Sequence, residues 1–523
     1  MHFNRKFLLR YALGTIPVGL SFRTNVEECL IMTRHGITKV AAAKLILPTQ
    51  NIDGADVTKR QKKVSRRTEG IGNSTAKLVF DMAFTQLTPV KEFYQEPTLH
   101  QIPSQSHFVG LRGFLVIQSF LWTFLNTLVP TAVTGTPNSD GPVYQEMLRK
   151  VVSVLFWNES LIYSAFILIS ARTICTPFLN KPSHDFVASS SFRRGLRLWF
   201  PSAFSLAIIY IVFTCIGTSY IDEFKTATNN TTIDTPYMIP NALAYFNSVF
   251  ILFWTNKKFD LQAANYAFPS QTLWVISVLF QQSYTVYMTM VIIPYVRKSW
   301  RVKAFIGFIA TAWWVDSWAW YSITGLLLAD MSINMNFQMR AQAGISLGTW
   351  RGRKFRMPVW PLYTILTMAG LIMMYIWAAW RPQDVYKEVR IHTGEYSTGG
   401  LNDVVMEAGT PMARDDNYLF LLGTFLVLET WSFPQAVFRN PFLMYLGRRS
   451  LSWFLVQSII IYSVGIKLFT HLTETKNASF EAATTACFFV CLLTVIPSAE
   501  IFYRLIDFPS QAFARITFDW IRK

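Results

Sequence analysis

Charged side chains stranded inside apolar runs are the first candidates for chemistry in this sequence, because a charge at the centre of a bilayer costs at least about 2.5–3.5 kcal/mol. Asn158-Glu159, Asp316 and Glu429 fit that description. A carboxylate so placed could take a proton from a substrate or carry a cation through a membrane. Each has a plainer reading too: Glu159 or Asp316 near a helix end, Glu429 paired with a neighbouring helix. Arginine gives the second signal. Arg172 closes one apolar run and Ser191-Phe192-Arg193-Arg194-Gly195-Leu196-Arg197 opens the next, so Arg193 and Arg197, four apart, share a helical face. Arg112 stands at the start of the first long apolar run. Guanidinium forks suit phosphate, so these side chains could seat a phosphate-bearing ligand; arginines at helix ends also serve topology and lipid headgroups. His184-Asp185 is the one His/Asp pair near the arginines, either a base or a solvated loop pair. The five cysteines (Cys29, Cys175, Cys215, Cys487, Cys491) lack metal-ligand spacing and read as small packing residues, so neither a metal nor a permanently bound cofactor is expected.

The elements that must position these residues follow from composition. Of 523 residues, 51% are hydrophobic and only 15% charged, where soluble domains carry about 25%. Lys and Arg number 48 against 31 Asp and Glu, a net charge of +17. That sign suits nucleic acid or the anionic face of a membrane, and apolar runs of about 20 residues decide for the membrane, with no nucleic-acid partner. The expected fold is all-α and integral to the membrane. Helices are expected at about 111–133, 151–171, 198–219, 272–296, 359–380, 417–437, 451–470 and 483–503. The segments 241–255 and 304–329 are ambiguous, and either way about ten crossings result, with both termini cytosolic.

The ambiguity turns on the cluster Arg297 to Lys303. A re-entrant 241–255 and a hairpin over 304–329 turning at Asp316 put the cluster inside; a crossing 241–255 and one long helix put it outside. Counting cytoplasmic Lys and Arg favours the first. The sequons at Asn229, Asn230 and Asn477 then fall on the outer or lumenal side. Residues 1–107 read as a basic, partly disordered cytosolic arm, with an amphipathic surface helix near 7–20 as the alternative. The transmembrane domain covers 108–512 and a short basic cytosolic tail 513–523. The protein is expected in an endomembrane or the plasma membrane.

The order of short motifs resembles the acyltransferase 3 family of integral membrane acyltransferases, in its fungal-type form. Gly110-Leu111-Arg112-Gly113, the run Phe166 to Arg172, Phe192-Arg193-Arg194-x-x-Arg197-x-x-x-Pro201, Trp274-Val275-Ile276-Ser277, Gly325-Leu326-Leu327-Leu328-Ala329, Leu446-Gly447-Arg448-Arg449-Ser450 and Asp507-Phe508-Pro509 are similar to that family's segments, in its order. The resemblance spans about 108–512. It implies a ten-helix enzyme that passes an acyl group, commonly acetyl, from acyl-CoA to a hydroxyl of a carbohydrate, lipid or small metabolite. It further implies that Arg112, Arg172, Arg193, Arg194 and Arg197 hold the acyl-CoA phosphates, Arg112 within the catalytic group. Trp274, Ser277 and Trp453 would line the path of the acyl chain or pantetheine arm.

The departures from the family are chemical. Its first-helix histidine falls on Thr123, its Trp-x-x-x-x-Glu carboxylate on Leu279, and its later Leu-x-His on Gln457. Acyl transfer to an alcohol needs a base, typically worth 10²–10⁴-fold in rate, and Thr cannot supply one. None of the seven histidines falls inside an expected span. Glu159 and His184 are the substitute bases to consider. The alternatives are a catalytically silent scaffold or regulator, and a transporter using Glu159, Asp316 and Glu429.

Overall fold

The computed structural model describes residues 105–136, 141–254, 259–350, 353–381 and 411–522. The expected basic arm, apart from its last three residues, the stretch 7–20 and most of the loop 381–416 lie outside the described residues.

Backbone in hydrocarbon must satisfy its own hydrogen bonds, so the apolar runs coil into helices. Among the described residues, seven helical stretches are long and apolar enough to cross a bilayer: Ser106–Leu128, Val143–Asn180, His184–Ile216, Trp274–Tyr295, Trp360–Trp380, Ser450–Thr475 and Phe480–Arg522. An eighth, Asp415–Thr430 with Ser432–Phe438, is bent by 102°. The chain is a multi-pass helical membrane protein. The one sheet among the described residues is an antiparallel hairpin of β1 (Ile345–Trp350) and β2 (Arg353–Met357), which the all-α expectation did not contain.

Proline and asparagine set the helix limits that hydropathy misplaced. Helix α1 (Ser106–Leu128) starts five residues earlier than expected and ends five earlier, because Pro130 disfavours helix just before it and lacks an N–H. It takes His107 with it, buried in the first turn, and His184 and His471 fall within two other membrane-length stretches, so three histidines lie in such stretches. The run expected at 151–171 is broken at Trp157-Asn158, both outside helical geometry, and α2 (Glu159–Ile174) begins at the carboxylate. Glu159 is therefore a first-turn residue, where the helix dipole favours a negative charge. Helix α3 (His184–Ile216) extends well before the expected 198 and carries Pro201 inside it.

The two ambiguous segments form a short apolar helix and a helical hairpin. Helix α4 (Ala242–Trp254) has 13 residues, a rise of about 20 Å, which falls short of a bilayer core. The chain enters and leaves it on one side, since the Tyr237 amide donates to the Tyr266 carbonyl at 3.0 Å. The Ser277 hydroxyl, on α5 (Trp274–Ile292), donates to the Leu252 carbonyl and pins the inserted end. Helices α6 (Lys298–Trp314) and α7 (Ala319–Asn334) then form an antiparallel hairpin turning at Asp316, which takes the left-handed φ of 51°. Its feet meet where Arg301 reaches Asp330 at 3.5 Å.

Helix α8 (Trp360–Tyr375) lies against α9 (Asp415–Thr430), and after the bend α10 (Ser432–Phe438) and α11 (Pro441–Arg448) pack on the start of α1. There Gly113 and Gly447 are obligatory: a Cβ on Gly113 would overlap the Leu443 carbonyl oxygen, and one on Gly447 the Val109 carbonyl oxygen. Helix α12 (Ser450–Ile460, helical on to Thr475) runs beside α1, and α13 (Phe480–Phe502) returns along it. The segment expected as a loose basic tail is α14 (Phe508–Arg522), a continuation of α13 that packs along the first half of α3 through Phe200–Phe513 and Phe192–Phe518 ring contacts. Its apolar residues at helical spacing explain why it stays folded.

Candidate functional site

The residues singled out by the sequence do not gather in one place; they divide between the two ends of the bundle. At one end, α1, α2, α3 and α5 bring Arg112, Arg194 and Arg197 together. Arg112 donates to the Thr173 hydroxyl at 3.2 Å, and Arg194 donates to Ser283 at 3.0 Å and to Ser170 at 2.7 Å. Arg112 feels the charges of both Arg194 and Arg197, and Arg197 stays exposed. Buried Asp507 of the acid-x-Pro segment interacts electrostatically with Arg197 and accepts from Ser452 at 3.2 Å. Three guanidiniums lie close enough to feel one another, and Asp507 acts on Arg197 alone, an arrangement that a polyanion such as a phosphate chain would offset.

Arg172 takes no part in that cluster. It points to the opposite side of α2, where its Nε donates to Glu429 of α9 at 2.7 Å, with both side chains buried. Thr176 accepts from it at 2.9 Å and the Phe108 ring lies 4.9 Å from its guanidinium. The plainer reading of Glu429, pairing with a neighbouring helix, is the one the geometry carries. Arg193 donates back to the Ser189 carbonyl at 3.2 Å on its own helix. His184 is exposed at the first position of α3, ten residues or about 15 Å along the helix from Arg194, and its neighbour Asp185 pairs with Arg522.

At the other end lies a cavity of about 410 Å³. Glu159 and Trp274 line it together, and the Glu159 carboxylate is within hydrogen-bonding reach of the Trp274 indole. The resemblance places a carboxylate at Leu279 on the tryptophan's own helix; here one arrives from α2 instead. Trp122 and Trp318 add two further indole walls. Asp234 and Asp260 come from the segments flanking α4, residues that spacing could not flag because they belong to polar loops of ordinary composition. Arg414 also faces the cavity and is held by an ion pair with Asp416. Nearby, burial and the charge of Asp415 push the carboxyl of Asp316, in the α6–α7 turn, up to about 8.

Between the two ends runs a buried strip of neutral polar groups. Gln457 of α12 donates to Ser119 at 2.8 Å and Thr123 at 3.1 Å. The two positions where the resemblance predicts histidines are thus in direct contact, filled by Thr123 and Gln457. Trp453, one turn away, is buried edge-on to Phe120, and its indole N–H makes no hydrogen bond. Ser277 is spent on the Leu252 carbonyl of α4. The span is short: Ser452 bonds Asp507 at the arginine end and Tyr462, ten residues on, lines the cavity, about 15 Å along the helix. Comparison with protein families, curated proteins and solved structures finds no match to this chain.

Proposed function

We propose that the protein is a membrane acyltransferase that takes an acyl group, acetyl as the common case, from acyl-CoA and passes it to a hydroxyl held in the cavity. The observation that carries this reading is the convergence of Arg112, Arg194 and Arg197 at one end of a bundle whose other end holds Glu159 in a tryptophan-lined cavity. The arginine end also has the exposed basic residues of the α6 foot and Arg448 nearby, which supports a cytoplasmic face there, ten crossings and both termini in the cytosol. The ten are the seven long stretches, the bent α9–α10 and the two limbs α6 and α7. The organelle is not part of the proposal.

In this mechanism the arginines hold the phosphates of acyl-CoA by charge-assisted hydrogen bonds and position the thioester, whose arm has about 15 Å to reach. The acceptor oxygen attacks the thioester carbonyl, so a C–O bond forms and the C–S bond breaks. Glu159 takes the hydroxyl proton and returns it to water in the cavity; CoA leaves as thiolate and is protonated from the cytosol. Thr123 and Gln457 hydrogen-bond along the path without titrating, which leaves Glu159 as the base.

The test is calorimetric titration of the full-length protein in detergent with acetyl-CoA. Binding is expected, with a loss of at least about tenfold in Arg194→Ala with Arg197→Ala, since bonds to charged groups contribute about 1.5–3 kcal/mol each. No heat change at millimolar acetyl-CoA would end the proposal. Binding without any release of free CoA when cell extract is added would favour the silent scaffold, a reading that the non-titrating Thr123–Gln457 pair supports. The transporter alternative is weakened, because Glu429 is committed to Arg172.

A further inference from the structure

Helix α14 carries two apolar stripes, and α3 covers only one of them. Ser510, Ala514 and Phe518, one turn apart, form the side that packs on α3: the first two are buried and the Phe518 ring meets Phe192. Beside them runs a polar stripe of Gln511, Arg515, Asp519 and Arg522, in which Arg522 pairs with Asp185 at 2.7 Å. The remaining side is Pro509, Phe513, Ile516 and Trp520, again at helical spacing and all exposed: Phe513 by 49%, Ile516 by 63% and Trp520 by 76%. A row of large apolar side chains left open in this way marks a surface that something else covers.

The row continues a surface that already faces lipid. Ile501 at the end of α13 and Leu505 in the turn after it are exposed, eight and four residues before Pro509, so one apolar line runs from the outer side of the spanning helix on to α14. Length limits how that line can be covered. The continuous stretch Phe480–Arg522 has 43 residues, about 65 Å of helix, against about 40–45 Å for a bilayer with its headgroups. Standing upright, the helix would carry Trp520 out into water. The π-helical turn Tyr503–Asp507 and Pro509 just after it are features at which helices bend, and α3 has its own Pro201 beside the Phe200–Phe513 ring contact.

We infer that α14 lies in the membrane interface at the arginine end, with Phe513, Ile516 and Trp520 in the boundary between headgroups and acyl chains and the polar stripe toward water. Lipid is the occupant of this face because the row prolongs a lipid-facing one, ends on tryptophan and is flanked by arginine, the composition of an interfacial helix. The ring contacts Phe192–Phe518 and Phe200–Phe513 bracket Arg193, Arg194 and Arg197, so the same anchor holds the arginine-bearing half of α3 at the membrane surface. None of this depends on acyl transfer.

Fluorescence quenching tests it in lipid nanodiscs that each hold one full-length chain with its native cysteines replaced by serine. An environment-sensitive probe is attached at Ile516→Cys, Trp520→Cys or Asp519→Cys, all exposed positions that the fold tolerates. A nitroxide near the top of the lipid acyl chain is expected to quench the probe at the Ile516 and Trp520 positions at least about threefold more strongly than at Asp519, with aqueous iodide giving the reverse order. Iodide quenching all three positions alike, with no preference of the lipid nitroxide, would put the row in water and overturn the inference. Shielding of the Ile516 and Trp520 positions from both quenchers, or cross-linking of Ile516→Cys between copies in liposomes, would give the face to protein and overturn it too. Acetyl-CoA is absent throughout, so failure here leaves the transferase reading untouched, and failure of that reading leaves this one untouched.

Discussion

Arg172 and Glu429 show how far residue type alone carries. That both are functional candidates follows from their being charges in apolar runs, yet their partnership joins positions 257 apart, which no spacing rule reaches. Neighbouring residues of α2 face different ways: Thr173 accepts from Arg112 while Arg172 turns toward α9. Removing one member of a buried ion pair strands the other, at about 3–5 kcal/mol, while replacing both with apolar groups of similar size is often neutral. Glu429→Gln and Arg172→Met are each expected to lower the melting temperature strongly, and the Arg172→Met/Glu429→Leu double variant to recover most of the loss while still binding acetyl-CoA. Loss of acetyl-CoA binding in a stable double variant would instead return Arg172 to the ligand site. The same contrast explains the cavity. Glu159 and Trp274 were legible as candidates, but Asp234 and Asp260 were not, because a loop aspartate is unremarkable until the fold carries it to a tryptophan wall.

Elements were legible where one physical cause dominates. Hydropathy located the long helices, and their limits moved where Pro130 or the Trp157-Asn158 break intervened and where polar or amphipathic turns extend α3 back to His184 and the last stretch on to Arg522, since a hydropathy window is blind to backbone hydrogen bonding. The shortness of α4 and the break between α6 and α7 at Asp316 followed from apolar run length. What spacing could not show is which glycines bring helices into contact. Gly110, Gly113 and Gly447 bring α1 against α10 and α11, and Gly325 brings α7 against the Leu168 carbonyl of α2. Close approach of backbones through small residues is a main source of helix association in membranes. Gly447→Ala is therefore expected to cost about 1–3 kcal/mol through overpacking, read as a fall in melting temperature in detergent. Gly307, on α6, faces open space, so Gly307→Ala should be neutral or raise stability by up to about 1 kcal/mol through helix propensity. Equal effects at the two sites would show that propensity, not packing, sets the outcome.

At the scale of the whole molecule, charge differs between the two ends, and that difference is the ground for the proposed orientation in a bilayer. Ser299 lies exposed at the foot of α6 on the arginine end, and Lys476 lies exposed in the turn before α13 on the cavity end. The sequons add a constraint invisible in sequence. Asn229 and Asn477 are exposed, but Asn230 is buried and its amide donates to the Thr127 carbonyl at 2.9 Å, so a glycan there is incompatible with the fold and Asn230 contributes nothing to the topology argument. In a chain with its native cysteines replaced by serine, Ser299→Cys should resist an impermeant maleimide on intact, correctly oriented membranes and react after permeabilisation, while Lys476→Cys should react in both states. Glycan mapping should find sugar at Asn229 or Asn477 and none at Asn230. Labelling of Ser299→Cys from the outside would invert the bundle, place the arginines away from cytosolic acyl-CoA, and remove the donor side of the proposed reaction while leaving the fold untouched.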